Sequence, residues 1–309
     1  MSTRGRPWCA GDRVRVIAPS GPVAIERFDR GLRVLRRRID LEVVHAENLL
    51  EQEGYFAGPD ALRLRATQEA LADPEAVAVL CARGGYGATR LLSTLDPERL
   101  RAAPKPIVGF SDVTALLCWA WSRAGVVGIH GPVVTQLSTL ADEDVDRLVD
   151  MLRGEVPAPL VAEEGTVLHG GTVEGPLLAG NLEVLRSLVG TRFMPKLAGT
   201  ILALEEIGER PYRIDRSLTH LLHSGALRGV RGVVVGQLVD CEEPADGNLG
   251  PTAAAVVLER LATLGVPVVT GFGFGHDSRR NAALPFGTMA RLSADQCTLE
   301  FLEPVVQSR

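Results

Sequence analysis

The chain has 309 residues, 46% of them hydrophobic and 23% charged, with a formal net charge of −5 at pH 7. That length suits about two domains, and that composition excludes disorder, collagen and coiled coil. The acidic balance argues against a general nucleic-acid binder or a polybasic membrane-surface protein. Lys105 and Lys196 are the only lysines, so arginine carries nearly all the positive charge. The cysteines, Cys9, Cys81, Cys118, Cys241 and Cys297, are odd in number and lack C-x-x-C spacing. They suggest neither a disulfide framework nor a zinc knuckle, and fit a reducing compartment. Met1 to Ala10 has no apolar leader core, and no run reaches the ~18 apolar residues of a membrane span. The expectation is a soluble cytoplasmic protein with no nucleic-acid or membrane partner.

In chain order, residues 13–18 read as a strand and 25–38 as a helix with Phe28, Leu32 and Leu35 on one face. A strand over 41–45 precedes a helix over 60–72, whose apolar face is read as Leu62, Leu64 and Leu71. Residues 76–82 (AVAVLCA) form the continuous apolar run expected of a strand buried on both faces. Strands over 106–110 and 126–130 flank a helix over 112–123, and a helix over 141–153 closes this half. Such alternation implies βαβ units and a mostly parallel sheet. The second half differs. The Gly-, Val- and Thr-rich stretch 161–178 suggests short antiparallel strands. Helices follow over 181–189, 215–224 and 251–264, with strands over 200–204, 232–236, 266–270, 288–292 and 297–302. The fold class is α/β: an N-terminal parallel-sheet domain over 1–153, a linker over 154–172 and a smaller β-rich domain over 173–309.

Ile107-Val108-Gly109-Phe110-Ser111-Asp112-Val113 runs a buried strand straight into a serine and then a helix. This is the layout of a nucleophile elbow, in which a tight turn exposes the hydroxyl beside the free N–H groups of the helix start. Val113 stands where the G-x-S-x-G pattern ends in glycine, and Ser111 as a plain N-cap is the competing reading. Arg83-Gly84-Gly85-Tyr86-Gly87 follows the 76–82 strand, at the strand end where ligands bind in open α/β sheets. It lacks the G-x-G-x-x-G spacing of a dinucleotide loop. Leu204-Glu205-Glu206 puts carboxylates at a strand end, and His276 lies in the glycine-rich loop after the 266–270 strand. A serine needs an adjacent base, histidine supplies one near neutral pH, and a carboxylate fixes the imidazole tautomer. His220 and His223 share a helix at i, i+3 without a third ligand, so no metal site is expected. His45, His130 and His169 show no partner.

Together these motifs resemble the serine LD-carboxypeptidases, or muramoyltetrapeptide carboxypeptidases, which include the microcin C self-immunity proteins. The resemblance spans nearly the whole chain. It rests on ARGGYGATRLL at 82–92, GFSD at 109–112, GNLEVL at 180–185, LEEIGERPYRIDR at 204–216 and GHDSRRNAALPFG at 275–287. It implies Ser111 as nucleophile, Glu205 and His276 as its partners, and the backbone N–H groups of Gly85 and Asp112 as the oxyanion hole. Glu206 is the rival to Glu205, and strand alternation puts the two on opposite faces. Arg83 and Tyr86 are candidates for substrate contact.

The implied fold is an N-terminal domain like that of class I glutamine amidotransferases, followed by a swivelling β/β/α-like domain. The implied reaction removes terminal D-alanine from a murein tetrapeptide, L-Ala-D-Glu-diaminopimelate-D-Ala or its lysine counterpart, with no metal or organic cofactor. A homodimer is implied as well. The alternative within the family is cleavage of a peptidyl or aminoacyl nucleotide toxin. For that role the family carries an adenine-stacking tryptophan just before Gly180-Asn181, where this chain has Ala179.

Overall fold

A computed structural model describes residues 2–9, 11–243 and 250–307. Met1 and Ala10, the ends of the segment read for a leader, lie outside them.

The first half runs β1 (Arg13–Ile17), α1 (Ile25–Arg38), β2 (Glu42–His45), α2 (Asp60–Ala72), β3 (Ala76–Cys81), α3 (Ala88–Leu91), α4 (Pro97–Ala102), β4 (Ile107–Gly109), α5 (Thr114–Trp119), β5 (Gly128–His130) and α6 (Asp142–Arg153). The strands β1 to β5 pair in parallel. Every residue of β3 is buried, as its unbroken apolar run requires. α1 buries Phe28, Leu32 and Leu35, the face read from its periodicity. α2 does not bury the face expected. Leu62 and Leu64 are only half-buried, and Arg63, Ala66, Thr67, Ala70 and Leu71 face inward. Arg63 turns inward because loop carbonyls need a donor there, as described below. α6 ends at Gly154 with φ 95°, the left-handed cap for which glycine carries no steric cost.

The second half continues with β6 (Leu160–Val161), β7 (Val167–His169), β8 (Thr172–Asn181), α7 (Leu182–Ser187), β9 (Ile201–Ile207), α8 (Pro211–His223), β10 (Gly232–Val239), α9 (Ala253–Ala262), β11 (Val268–Val269), β12 (Leu284–Phe286), β13 (Met289–Ser293) and β14 (Thr298–Phe301). Eight of these strands form a sheet ordered β6-β14-β13-β8-β9-β10-β11-β7. The stretch read as short antiparallel strands is only partly that. β8 is ten residues long, antiparallel to β13 on one side and parallel to β9 on the other. α8 starts four residues before the reading placed it, with Pro211 in its first turn, where a missing N–H costs nothing.

β12 leaves this sheet and pairs antiparallel with β5, giving the first sheet the order β12-β5-β4-β3-β1-β2. One buried apolar cluster runs from β3 and α5 through β8, β9 and β10. Every side chain of α5 is buried, and its first residue, Thr114, accepts a hydrogen bond at Oγ1 from the Asn181 N–H, 3.0 Å away. The carboxyl end of β4 and the start of α7 are therefore held together.

Candidate active site

Ser111 follows β4 and takes φ 61°, a left-handed conformation costing about 1–2 kcal/mol for a residue with a side chain. The turn doubles back so tightly that a Cβ on Gly109 would lie 2.8 Å from a methyl carbon of Val113. The glycine missing from the end of the elbow pattern is thus replaced by a buried valine packed onto Gly109. Ser111 is half-buried, and among the described residues its Oγ makes no hydrogen bond. It does not cap the helix it precedes. A Cβ on Gly84 would lie 2.9 Å from the Ser111 Cβ and 3.1 Å from its Oγ, so the glycine loop lies directly against the hydroxyl.

That loop is bound on both sides. Gly21 N–H donates to the Gly84 carbonyl at 3.0 Å, and the Ala88 N–H donates to Asp112 Oδ2 at 2.8 Å. Burial pushes the Asp112 carboxyl up from its ordinary value. Gly85 sits at φ 112°, a conformation that glycine alone adopts freely. The buried Arg63 guanidinium donates to the carbonyls of Pro19 and Gly87, and so joins the loops after β1 and β3. Arg83 donates to the Pro22 carbonyl at 2.6 Å. Tyr86 is exposed, and its ring lies 5.9 Å from Tyr55 and 5.8 Å from Phe56.

The second sheet supplies the other partners. Glu205 on β9 is fully buried, and its Oε2 meets His276 Nδ1 at 2.6 Å. Its Oε1 has no hydrogen-bond partner among the described residues. The His276 ring lies 4.6 Å from that of Phe110, the residue before Ser111. The nucleophile turn and the Glu205–His276 pair therefore share one place. Glu206 points elsewhere. It accepts from Asn181 Nδ2 at 2.7 Å and from the N–H groups of Glu183 and Ile207, each at 2.8 Å. Burial still pushes its carboxyl up to about 7, against the pull of these donors.

The His276 loop is clamped largely by the first half. Asn281 accepts from the Gly275 N–H at 3.0 Å and donates to Gln136 Oε1 at 2.9 Å. Gln136 donates to the Asp277 carbonyl at 3.1 Å, and the Asn281 N–H donates to Asp144 Oδ2 at 2.9 Å. His130, fully buried at the end of β5, packs edge-on against Phe110 and Phe274, each 6.1 Å away. Neither of its ring nitrogens has a partner among the described residues, and burial lowers it to about 4. The sequence reading missed Arg63, His130, Gln136, Asn181 and Asn281. For Arg63 and His130 the signal was a polar residue placed against the pattern of its element; Asn181 and Asn281 lay within the quoted motifs GNLEVL and GHDSRRNAALPFG.

A cavity of about 450 Å³ is lined from the first half by Tyr86, Thr89 and Asp112 and from the second by Glu183, Val184 and Phe193. His220 and His223 are exposed on α8. Among the described residues no three His, Cys, Asp or Glu side chains gather where they could hold one metal ion. No helix among them is long and apolar enough to cross a membrane. A carboxylate bound at one ring nitrogen of an imidazole, with a free serine hydroxyl on the neighbouring turn, is an arrangement suited to acyl transfer.

The profile of the LD-carboxypeptidase N-terminal domain matches residues 14–131, and that of the C-terminal domain matches residues 174–292. The chain belongs to the LD-carboxypeptidase family. Relatives named as carboxypeptidases cover almost all of it. A Streptomyces coelicolor relative is 44% identical over 307 residues, 96% of each chain. The murein tetrapeptide carboxypeptidase of Pseudomonas aeruginosa is 34% identical over 295 residues, 92% of this chain and 94% of that one. The solved muramoyltetrapeptide carboxypeptidase of Oxalobacter formigenes superposes with a TM-score of 0.81 at 31% identity, over 93% of this chain and 97% of that one. The microcin C7 self immunity protein MccF shares the fold, with a TM-score of 0.86 at 22% identity over 99% and 100% of the two chains. As an LD-carboxypeptidase the chain is a peptidase by family, with the two-domain α/β architecture of these neighbours.

Proposed function

We propose that this LD-carboxypeptidase is a serine peptidase that releases terminal D-alanine from murein tetrapeptides in the cytoplasm. The observation that carries the reading is the 2.6 Å bond between Glu205 and His276, formed beside the strained Ser111 turn. With Nδ1 held by Glu205, Nε2 is the nitrogen left to take the Ser111 proton. The Ser111 oxygen attacks the carbonyl of the L-centre, and the N–H groups of Gly85 and Asp112 receive the oxyanion. Such donors contribute about 3 kcal/mol each in the transition state. Collapse of the tetrahedral intermediate breaks the C–N bond, and the imidazolium returns its proton to the departing D-alanine amine. Water then cleaves the acyl-enzyme by the same route in reverse. Glu205 keeps the imidazole in one tautomer and balances its charge. Arg83, at the start of the glycine loop, would meet the terminal carboxylate, while Tyr86 lines the 450 Å³ cavity. No metal or organic cofactor takes part in this scheme, and by family resemblance the protein works as a homodimer.

The relative from Pseudomonas aeruginosa is named for this substrate, which supports the reading. Cleavage of a peptidyl nucleotide is less well supported. Ala179, at the position of the family's adenine-stacking ring, is buried in β8 and offers no aromatic face. The test is D-alanine release from the free tetrapeptide, with Ser111→Ala as control. Release by the unaltered protein alone supports both substrate and nucleophile. No release from folded protein would overturn the murein reading in favour of aminoacyl or peptidyl nucleotides.

A further inference from the structure

A smaller cavity of about 230 Å³ lies between α7 and α8. It is lined by Glu183, Arg186, Glu209, Arg213, Arg216 and Ser217. Glu183 also lines the 450 Å³ cavity that includes Asp112, the residue after Ser111, so α7 borders both. The wall between them is α7, and its start is tied to α5 through the bond from the Asn181 N–H to Thr114. The distance from the serine turn is therefore set by the fold.

The chemistry of the smaller cavity is that of an anion site with part of its charge uncommitted. Arg186 is paired with Glu183, which also accepts from Ser217 Oγ at 2.8 Å. Arg213 reaches Glu209 at 3.3 Å, and both guanidinium and cavity are open to solvent. Arg216 pairs with no carboxylate among the described residues, and its guanidinium lies over the Tyr212 ring at 5.4 Å. Three arginines thus face two glutamates, and two of the arginines lie on one exposed helix face at i, i+3. Guanidinium groups bind carboxylates in pairs of parallel hydrogen bonds.

We propose that this cavity is a carboxylate subsite for the acyl part of the peptide, with Arg213 and Arg216 as its specificity-determining residues. The inference rests on the function proposed above. The leaving group is one alanine, whereas α7 lies between the cavity at Asp112 and α8, so the longer acyl part is the one assigned to this subsite. The acyl part has three residues and spans roughly 10 Å when extended. It carries two carboxylates away from the reacting bond, one on D-glutamate and one on the diaminopimelate side chain. Either supplies the same ligand chemistry.

The experiment measures kcat and KM for D-alanine release by the unaltered protein and by the double variant Arg213→Ala/Arg216→Ala. Three tetrapeptides are compared: the parent, one with the D-glutamate α-carboxylate amidated, and one with lysine in place of diaminopimelate. The expected result is a tenfold or greater rise in KM for the double variant on the parent peptide. The unaltered protein should show a similar rise on whichever peptide lacks the bound carboxylate, and the double variant should no longer discriminate. Arg213→Lys/Arg216→Lys should recover most of the loss. Equal KM on all three peptides for the unaltered protein, or one uniform loss in the double variant, would overturn the subsite while leaving the peptidase reading intact. Absence of D-alanine release from every peptide by the unaltered protein would overturn that reading, and the subsite with it.

Discussion

The two sides of the cleft are built from different materials. On the first sheet backbone conformation dominates: Ser111 at φ 61° and Gly85 at φ 112°. On the second sheet it is made of side chains, with a buried carboxylate on β9 and an imidazole on a loop clamped by Asn281 and Gln136. Backbone geometry is local and is written in short motifs. Side-chain pairing depends on where distant strands end. The two sides should therefore fail differently when altered.

The largest effect is expected at the one side chain of the backbone-built half. Ser111→Ala should lower kcat for D-alanine release by about 10⁴-fold or more while leaving thermal unfolding nearly unchanged. Turnover retained by this variant would remove Ser111 as nucleophile.

On the other half, the adjacent carboxylates should separate. Glu205→Gln should cost about 10³–10⁴-fold in kcat, because the imidazole loses its charge partner and its fixed tautomer. Glu206→Gln should cost far less activity but more stability. Its amide NH₂ would face a backbone or Asn181 donor in a buried site. Parallel kcat and urea-unfolding measurements check this, and the reverse ranking would mean that the wrong carboxylate was assigned.

Gly85→Ala tests the backbone side. The new methyl would lie 3.1 Å from Gly21 and force strain at φ 112°. Displacing one oxyanion donor should lower kcat by about 10²-fold with little change in KM. A change confined to KM would place Gly85 in substrate binding instead.

The smallest effect concerns pH. Between its ordinary 4.5 and about 7, Glu206 holds a proton in the folded chain that the unfolded chain has released, so stability falls as pH rises through this window. Between about 4 and 6.5, unfolded chains protonate His130 while the folded chain keeps it neutral, so stability rises with pH. From pH 4.5 to 6.5 the two slopes oppose each other. His130→Phe should expose a decline approaching 1.4 kcal/mol per pH unit, and Glu206→Gln a comparable rise. Unfolding free energies measured across this range should tilt in opposite directions. Equal tilts would show that other groups govern the acid response.

Much of the architecture was legible in the sequence. The apolar run at β3, the spacing of Phe28, Leu32 and Leu35 on α1, and the strand–serine–helix order at Ser111 each express a local physical requirement. Several motifs in order were enough to indicate the family and to bring Glu205, its rival Glu206 and His276 into view. The boundaries of α8 and the mixed pairing of β8 were less legible, because they depend on a proline's tolerance in a first turn and on two different neighbouring strands. The inward face of α2 was misread for a similar reason. A helix read by apolar spacing gives no hint that carbonyls of Pro19 and Gly87 converge over it.

By itself the sequence determined which residues could react and which turns could hold backbone donors, since φ preference and hydrophobic period act over a few residues. Tertiary structure decided which of two neighbouring carboxylates meets the histidine, because opposite faces of β9 look onto different partners. It also decided that Leu284 to Phe286 leave their own half to complete the first sheet. It brought three arginines of α7 and α8 around one 230 Å³ cavity. Those outcomes depend on where strands far apart in the chain come to lie side by side, and no local pattern encodes that.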